Sequence, residues 1–171
     1  MPNTLINAKQ NANGHETLKD AISVGKALLF PELSYTIQGC VFEIRKQYGP
    51  GQKEIIYQRL MEEKLKIKKI KVEREKKINI YSQDSGNVIG IYQPDLLVND
   101  QIIIEIKSSR FTTKTDELQL YHYLRNSQYE LGYLINFSTP KLFMKRIIYS
   151  NSKKPYTNIS VNLCSNSRIL V

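Results

Sequence analysis

Residues 94–107 read PDLLVNDQIIIEIK, two apolar runs separated by Asn99 and Asp100. Asn and Asp tolerate the backbone conformations of tight turns, so the pattern predicts an antiparallel hairpin. The second run is rich in isoleucine, which is typical of a buried strand. Because side chains alternate across a strand, Glu105 and Lys107 share one face. The stretch therefore predicts a carboxylate and an ammonium group together at the end of a buried strand.

The register of this hairpin decides whether Asp95, on the first strand, can join Glu105. With a two-residue loop, Asp95 would lie opposite Ile104 and point to the wrong face. With a three-residue loop at 99–101, Asp95 faces Glu105 directly. A functional site here requires that longer loop or a bulge near Asp95. The alternative is a solvated Glu–Lys pair on an ordinary strand, which contributes little.

Two motifs carry a resemblance to known nucleases. Pro94-Asp95, followed after nine residues by Glu105-Ile106-Lys107, resembles the signature of the PD-(D/E)XK nuclease superfamily. Gly51-Gln52-Lys53-Glu54-Ile55-Ile56-Tyr57 is similar to the G-x-x-E-x-x-Y motif of a small family within that superfamily.

Further segments resemble the same proteins. Residues 48–50 and 133–137 are similar to segments of the G-x-x-E-x-x-Y family. Gln119 and Tyr123 resemble the Q-x-x-x-Y helix motif of recombination-exonuclease relatives. The resemblance covers roughly residues 33–150, and the order and spacing of the motifs make it specific.

The resemblance implies a Mg²⁺-dependent phosphodiesterase, with Mn²⁺ as a substitute ion. Asp95 and Glu105 would hold the metal, because hard cations prefer oxygen ligands. The Ile106 carbonyl would be a third ligand, and the resemblance places Glu54 at the same site as an accessory carboxylate. Lys107 would position the attacking water or neutralise charge that develops in the transition state.

Other candidate residues have ordinary structural alternatives. Glu54 lies at a predicted helix start, where the helix dipole favours an acid. Gln119 and Tyr123 could meet the site or the nucleic-acid backbone, but helix packing alone would also account for them. His15 and His122 lie far apart without a cysteine pair nearby, which argues against a zinc site or a histidine-based triad.

The net charge of +9 and the pI near 9.5 favour a polyanionic partner. Nucleic acid is the expected partner, DNA in preference to RNA. The segment 64–77 holds eight basic residues, and a solvated face is the alternative reading of that segment. The predicted phosphate-binding residues are Lys64, Lys66, Lys68, Lys69 and Lys71.

Length and composition predict one globular domain with flanking segments. The 171 residues are 41% hydrophobic and include no apolar run long enough to cross a membrane. The absence of a signal-peptide pattern and the presence of only two cysteines suggest a cytoplasmic protein. The expected organisation is an N-terminal extension over 1–32, a nuclease-like domain over 33–150 and a tail over 151–171.

Apolar periodicity predicts an α/β fold. Helices are expected over 33–48, 52–66 and 116–127, the last capped by Thr113 or Thr115. Strands are expected over 68–81, 88–98, 101–109, 131–137 and 145–149. The first three strands would form an antiparallel meander, and the strand–helix–strand order that follows predicts a parallel pair. A mixed central sheet flanked by helices is also what the resemblance to restriction-endonuclease-like proteins implies.

Two functions from different classes are consistent with these patterns. One is a metal-dependent nuclease, which the joint presence of Glu54, Asp95, Glu105 and Lys107 favours. The other is a catalytically inactive nucleic-acid-binding or interaction module that retains the nuclease fold. An enzyme acting on small phosphorylated substrates lacks support, because no Walker-type glycine-rich loop is present.

Overall fold

A computed structural model describes residues 28–155 of the chain. The helices are α1 (Pro31–Tyr48), α2 (Glu54–Ile67) and α3 (Lys114–Asn126). The strands are β1 (Val72–Arg74), β2 (Ile78–Tyr81), β3 (Val88–Tyr92), β4 (Leu96–Val98), β5 (Ile102–Lys107), β6 (Leu131–Asn136) and β7 (Phe143–Ile148). The predicted extension and tail lie mostly outside the described residues, so the domain boundaries stay predictions.

The strands form one mixed five-stranded sheet and one small separate sheet. The order in the larger sheet is β1-β4-β5-β6-β7, and β2 pairs with β3 alone. β5 and β6 run parallel with α3 as the connection between them, whereas the other neighbouring pairs run antiparallel. The predicted α/β class, with a mixed central sheet flanked by helices, is confirmed.

The hairpin of β4 and β5 has the three-residue loop that the site requires. Leu96 pairs with Ile104, which leaves residues 99–101 as the loop and confirms that register. Asn99 and Asp100 take φ angles of 53° and 54°, a left-handed conformation that Asn and Asp adopt more readily than most residues. Continued by one residue, the register places Asp95 opposite Glu105.

The two faces of the sheet are covered by different helices. Leu120 and Leu124 of α3 belong to one buried cluster with Ile103 and Leu134. A Cβ atom at Gly132 would lie 2.9 Å from Leu120 Cδ1, so α3 approaches β6 at a position where a side chain would collide. The Glu105 face of β5 is therefore the face that α3 covers.

Helices α1 and α2 contact residues on the opposite face. The Gln38 amide of α1 donates to the Tyr133 hydroxyl at 3.5 Å, and Tyr133 pairs with Ile104 of β5. Tyr57 of α2 stacks on Phe137, with ring centroids 4.4 Å apart. Among residues 28–155, no helix is both long enough and apolar enough to cross a membrane.

The predicted meander has the expected antiparallel pairing, but its first two strands are not continuous. The expected strand over 68–81 is two strands in separate sheets, β1 and β2, and Glu75 between them has a φ of 50° that an extended strand does not allow. The expected strand over 88–98 is likewise divided into β3 and β4. Pro94 lies at that division, where it has no N–H to continue a ladder.

The remaining element boundaries agree with the sequence predictions to within two residues. Thr113 is the N-cap of α3, as expected, and its hydroxyl accepts from the Asp116 N–H at 3.2 Å. The Asp116 carboxylate accepts in return from the Thr113 N–H at 2.9 Å. This reciprocal capping box fixes where the connection after β5 ends.

Candidate active site

Asp95 and Glu105 lie together at the end of the β4–β5 hairpin that is remote from its loop. Asp95 Oδ2 accepts from the Ile106 N–H at 2.6 Å. On the neighbouring strand, the backbone of Asp95 favours the charged form of the Glu105 carboxyl group and so lowers its pKa. The bond from Ile106 anchors Asp95 next to Glu105 across neighbouring strands, as the register predicted.

Lys107 joins the two acids on the same face. Its Nζ lies 3.9 Å from Glu105 Oε2. The Glu105 side chain is only 15% exposed, so the alternative of a solvated surface pair does not describe it. The structure thus brings together the three residues of the Asp–Glu–Lys signature.

Burial sets the electrostatics of the two acids. It raises the pKa of Glu105, and the nearby Asp95 carboxylate raises it further. Burial is also the main cause that raises the pKa of Asp95, with smaller contributions from the carboxylates of Glu54 and Glu75. Lys107 opposes both shifts but supplies only one positive charge. The site therefore carries an excess of negative charge, which a bound proton or cation would neutralise.

Two residues not predicted as site residues hold these acids in place. The buried Gln58 amide donates to Asp95 Oδ1 at 2.8 Å, and the buried Tyr92 hydroxyl donates to Glu105 Oε1. Gln58 follows Glu54 by four residues on α2, a spacing that places both on one helix face and could have indicated its role. No spacing rule indicates Tyr92.

Glu54 is the first residue of α2 and is half-buried. It lies close enough to raise the pKa of Asp95 through its charge. Within residues 28–155, however, no three acidic, histidine or cysteine side chains gather closely enough to hold a metal as a group. Glu54 is thus near the acid pair without lying in a closed cluster with it.

Tyr57, the tyrosine of the G-x-x-E-x-x-Y motif, has a structural role in the loop before α2. Its buried hydroxyl donates to the Gly49 carbonyl at 2.8 Å and accepts from the Gln52 N–H at 3.1 Å. Gly51 has a φ of 94°, a conformation that favours glycine. These features shape the loop that leads into Glu54.

Gln119 and Tyr123 are connected to the site through Tyr92. The Gln119 amide donates to the Tyr123 hydroxyl at 3.0 Å. The Tyr123 ring stacks on Tyr92, with centroids 3.4 Å apart, and Tyr92 in turn contacts Glu105. The pair therefore supports the acid face from α3.

Asn136, at the end of β6, is a fully buried residue that joins the loops around the site. It pairs in register with Lys107. Its Nδ2 donates to Ser109 Oγ at 3.1 Å and to Thr112 Oγ1 at 3.0 Å. Its Oδ1 accepts from the N–H groups of Ser109 and Ser138, at 3.3 and 3.1 Å. One side chain thus connects the loop after β5 with the loop after β6.

The loop between α1 and α2 joins the same network. Ser138 Oγ accepts from the Gly51 N–H at 3.1 Å and lies 2.8 Å from Ser108 Oγ. Ser108 also donates to the Gln52 carbonyl. The segments that carry Glu54, Glu105 and Lys107 are therefore linked by hydrogen bonds.

The predicted phosphate-binding lysines lie nearer the loop end of the hairpin. Lys71 pairs with Asp100, in the hairpin loop, at 2.6 Å and with Glu73 at 3.0 Å. Among residues 28–155, Lys69 has no ion pair, whereas the other predicted lysines do: Lys64 and Lys68 with Glu43, and Lys66 with Glu62. Their role in binding nucleic acid stays a prediction.

A family model and a solved structure are similar to this chain. A family model described as the PD-(D/E)XK nuclease superfamily matches residues 31–147. The solved crystal structure of SSO0001 is similar over 88% of this chain and 82% of its own, with 16% sequence identity and a TM-score of 0.42. The sequence matches none of the curated proteins.

Proposed function

The chain belongs to the PD-(D/E)XK nuclease superfamily, and from this premise we propose that it is a metal-dependent nuclease that hydrolyses phosphodiester bonds. The observation that carries the proposal is the placement of Asp95 beside Glu105, anchored by the bond from the Ile106 N–H, with Lys107 Nζ 3.9 Å from the Glu105 carboxylate. This is the arrangement of two acids and one ammonium group that the superfamily signature describes.

The chemistry of the donor set fits a hard divalent cation. Asp95 and Glu105 offer carboxylate oxygens whose raised pKa values reflect unrelieved burial and repulsion. The N–H and C=O of one strand residue point to the same neighbouring strand. Because the Ile106 N–H points at Asp95, the Ile106 carbonyl lies on the same edge and would be a third ligand.

We propose Mg²⁺ as the ion, with Mn²⁺ as a substitute, because few protein ligands and several retained waters suit Mg²⁺. When bound, the ion supplies polarisation of a phosphate oxygen and a water of lowered pKa. Glu54 would contribute as an accessory carboxylate near the ion, since its charge acts on Asp95.

The residues of the chain have distinct tasks in this proposal. Gln58 and Tyr92 fix the orientation of the two carboxylates through the bonds they donate. Lys107 stabilises the charge that develops on the phosphate or holds the attacking water. Gln119 and Tyr123 act indirectly, because their contact with the site runs through the ring of Tyr92.

The proposed substrate rests on the net charge, and the proposed subfamily rests on sequence motifs. The net charge of +9 supports a nucleic-acid substrate, with DNA proposed in preference to RNA. Membership of the G-x-x-E-x-x-Y family is supported by the loop-forming roles of Gly51 and Tyr57 next to Glu54. The proposed location is the cytoplasm.

The test is cleavage of labelled single- and double-stranded DNA and RNA in Mg²⁺, in Mn²⁺ and in EDTA. Cleavage that needs the metal and is abolished in Glu105→Gln is expected, because the amide cannot serve as a charged ligand. Glu63→Gln is the matched control, since Glu63 is an exposed acid on α2. Binding without cleavage in any divalent metal would show instead a catalytically inactive binding module.

A further inference from the structure

The loop between β5 and α3 presents an aromatic ring to solvent beside the proposed site. Phe111 is 70% exposed, although a phenylalanine gains stability mainly through burial. The Arg110 guanidinium carbon lies 5.7 Å from the centre of its ring. No carboxylate among residues 28–155 forms an ion pair with Arg110. The pair is thus an accessible ring with an uncompensated cation next to it.

The loop that carries the ring is held by hydrogen bonds that do not involve the ring. Ser109 Oγ donates to the Phe111 carbonyl at 2.7 Å. Ser109 and Thr112 are both bonded to the buried Asn136. The backbone is therefore fixed on both sides of Phe111, and the exposed position of the ring is not required for the loop to fold.

Chain length places this ring within reach of the acid pair. Phe111 follows Lys107 by four residues, so their Cα atoms are at most about 14 Å apart. The bond from Ser109 Oγ to the Phe111 carbonyl makes the segment more compact than a fully extended chain. A nucleic-acid strand bound at Lys107 would pass close to Phe111.

Two further cations belong to segments that border the proposed site. Lys53 precedes Glu54, next to the Gln52 carbonyl that Ser108 contacts. Lys114 begins α3, three residues after Phe111. Within the part of the chain that the structure describes, neither lysine forms an ion pair, in contrast to Lys68 and Lys71.

We propose that Arg110 and Phe111 form a stacking site for an unpaired base, so that the substrate at the active site is single-stranded nucleic acid. This inference rests on the proposed nuclease function and adds its substrate class. An exposed ring can stack on any base, because every base has a π face. In a duplex those faces are covered by neighbouring base pairs, so only the base of an unpaired nucleotide can stack on the Phe111 ring.

The experiment measures binding in EDTA, where no metal-dependent cleavage occurs. The probes are a fluorescently labelled oligothymidylate and a DNA duplex of the same length. Phe111→Leu keeps an apolar side chain but removes the ring, so affinity for the single strand should fall about 5- to 150-fold. Phe111→Tyr keeps the ring and should bind as wild type does, and affinity for the duplex should not change in either variant.

A matched control comes from an exposed phenylalanine on another element. Phe42 of α1 is 57% exposed, and α1 contacts the face of the sheet opposite to α3. Phe42→Leu should leave the affinity for both probes unchanged. Arg110→Gln should weaken single-strand binding and reduce its salt slope by about 0.7, the contribution of one phosphate contact.

Two results would overturn the stacking site. One is an unchanged single-strand affinity in Phe111→Leu, and the other is an equal loss for the single strand and the duplex. The proposed function is tested separately. If the wild type cleaves no substrate with any metal, but Phe111→Leu still weakens single-strand binding, the stacking site stands and the nuclease function does not. If the wild type cleaves in a metal-dependent way, but Phe111→Leu binds the single strand as wild type does, the nuclease function stands and the stacking site does not.

Discussion

At the scale of single residues, burial of Asp95 and Glu105 makes stability depend on pH. Both pKa values are raised in the folded chain, so the folded state keeps protons that the unfolded state has already released. At pH values between the ordinary carboxyl pKa, about 4, and the raised pKa, the unfolded state binds fewer protons than the folded state. The free energy of unfolding should therefore fall as the pH rises through that interval.

Glu105→Gln should remove part of this pH dependence, because an amide does not titrate. Urea unfolding in EDTA, measured from about pH 4 to about pH 8, should show a shallower loss of stability in the variant than in wild type. Glu63→Gln, which changes an exposed acid, should follow wild type. An equally steep loss in Glu105→Gln would mean that Glu105 has an ordinary pKa in the folded protein.

The acid pair could be predicted from sequence because side-chain alternation in a strand is strict. Once a loop of three residues is assumed, Asp95 must face Glu105. Tyr92 and Gln58 could not be predicted in the same way. Tyr92 lies on β3, in the separate small sheet, and only the folded chain brings its hydroxyl to Glu105.

At the scale of elements, the fixed arrangement of loops around the site depends on Asn136. Asn136→Ala leaves the N–H groups of Ser109 and Ser138 without their partner, so it should destabilise the fold by about 1–3 kcal/mol. Chemical denaturation gives this value directly. Asn79→Ala, at an exposed position of β2, should change stability by less than about 0.5 kcal/mol. Equal effects in the two variants would remove Asn136 from its proposed role.

Element types were predictable where local signals agreed with the fold. The capping chemistry of Thr113 and the apolar period of α1 and α3 located these helices closely. The sequence predicts one continuous strand over 68–81, because its apolar residues fall at even-numbered positions on both sides of the break at Glu75. Parity shows which residues could share a face, but it does not show that the backbone between them is continuous.

At the scale of the whole molecule, two groups of lysines differ in their ion pairing. The lysines near the loop end of the hairpin are largely ion-paired, as Lys71 with Asp100 and Lys68 with Glu43. Lys53 and Lys114, next to the proposed site, have no ion pair among residues 28–155. Ion-paired lysines release fewer counterions when they meet phosphate, so the second group should contribute more to binding.

A comparison of two double variants checks this division. Lys53→Gln with Lys114→Gln should reduce the salt slope of single-strand binding by about 1.4, or about 0.7 for each contact. Lys68→Gln with Lys71→Gln should reduce it by less, because Glu43 and Asp100 already neutralise those charges. The opposite order would place the phosphate track on the lysine-rich segment 64–77 that the sequence indicated.

The central claim is that Asp95, Glu105 and Lys107 form a hydrolytic site, and Lys107→Ala tests it most directly. Both carboxylates remain in this variant, so metal binding should persist while the group that stabilises developing charge is lost. The single-turnover cleavage rate in Mg²⁺ should fall about 10²- to 10³-fold. Lys46→Ala, at an exposed position of α1, should cleave as wild type does. Cleavage by wild type that continues undiminished in Lys107→Ala would contradict the account.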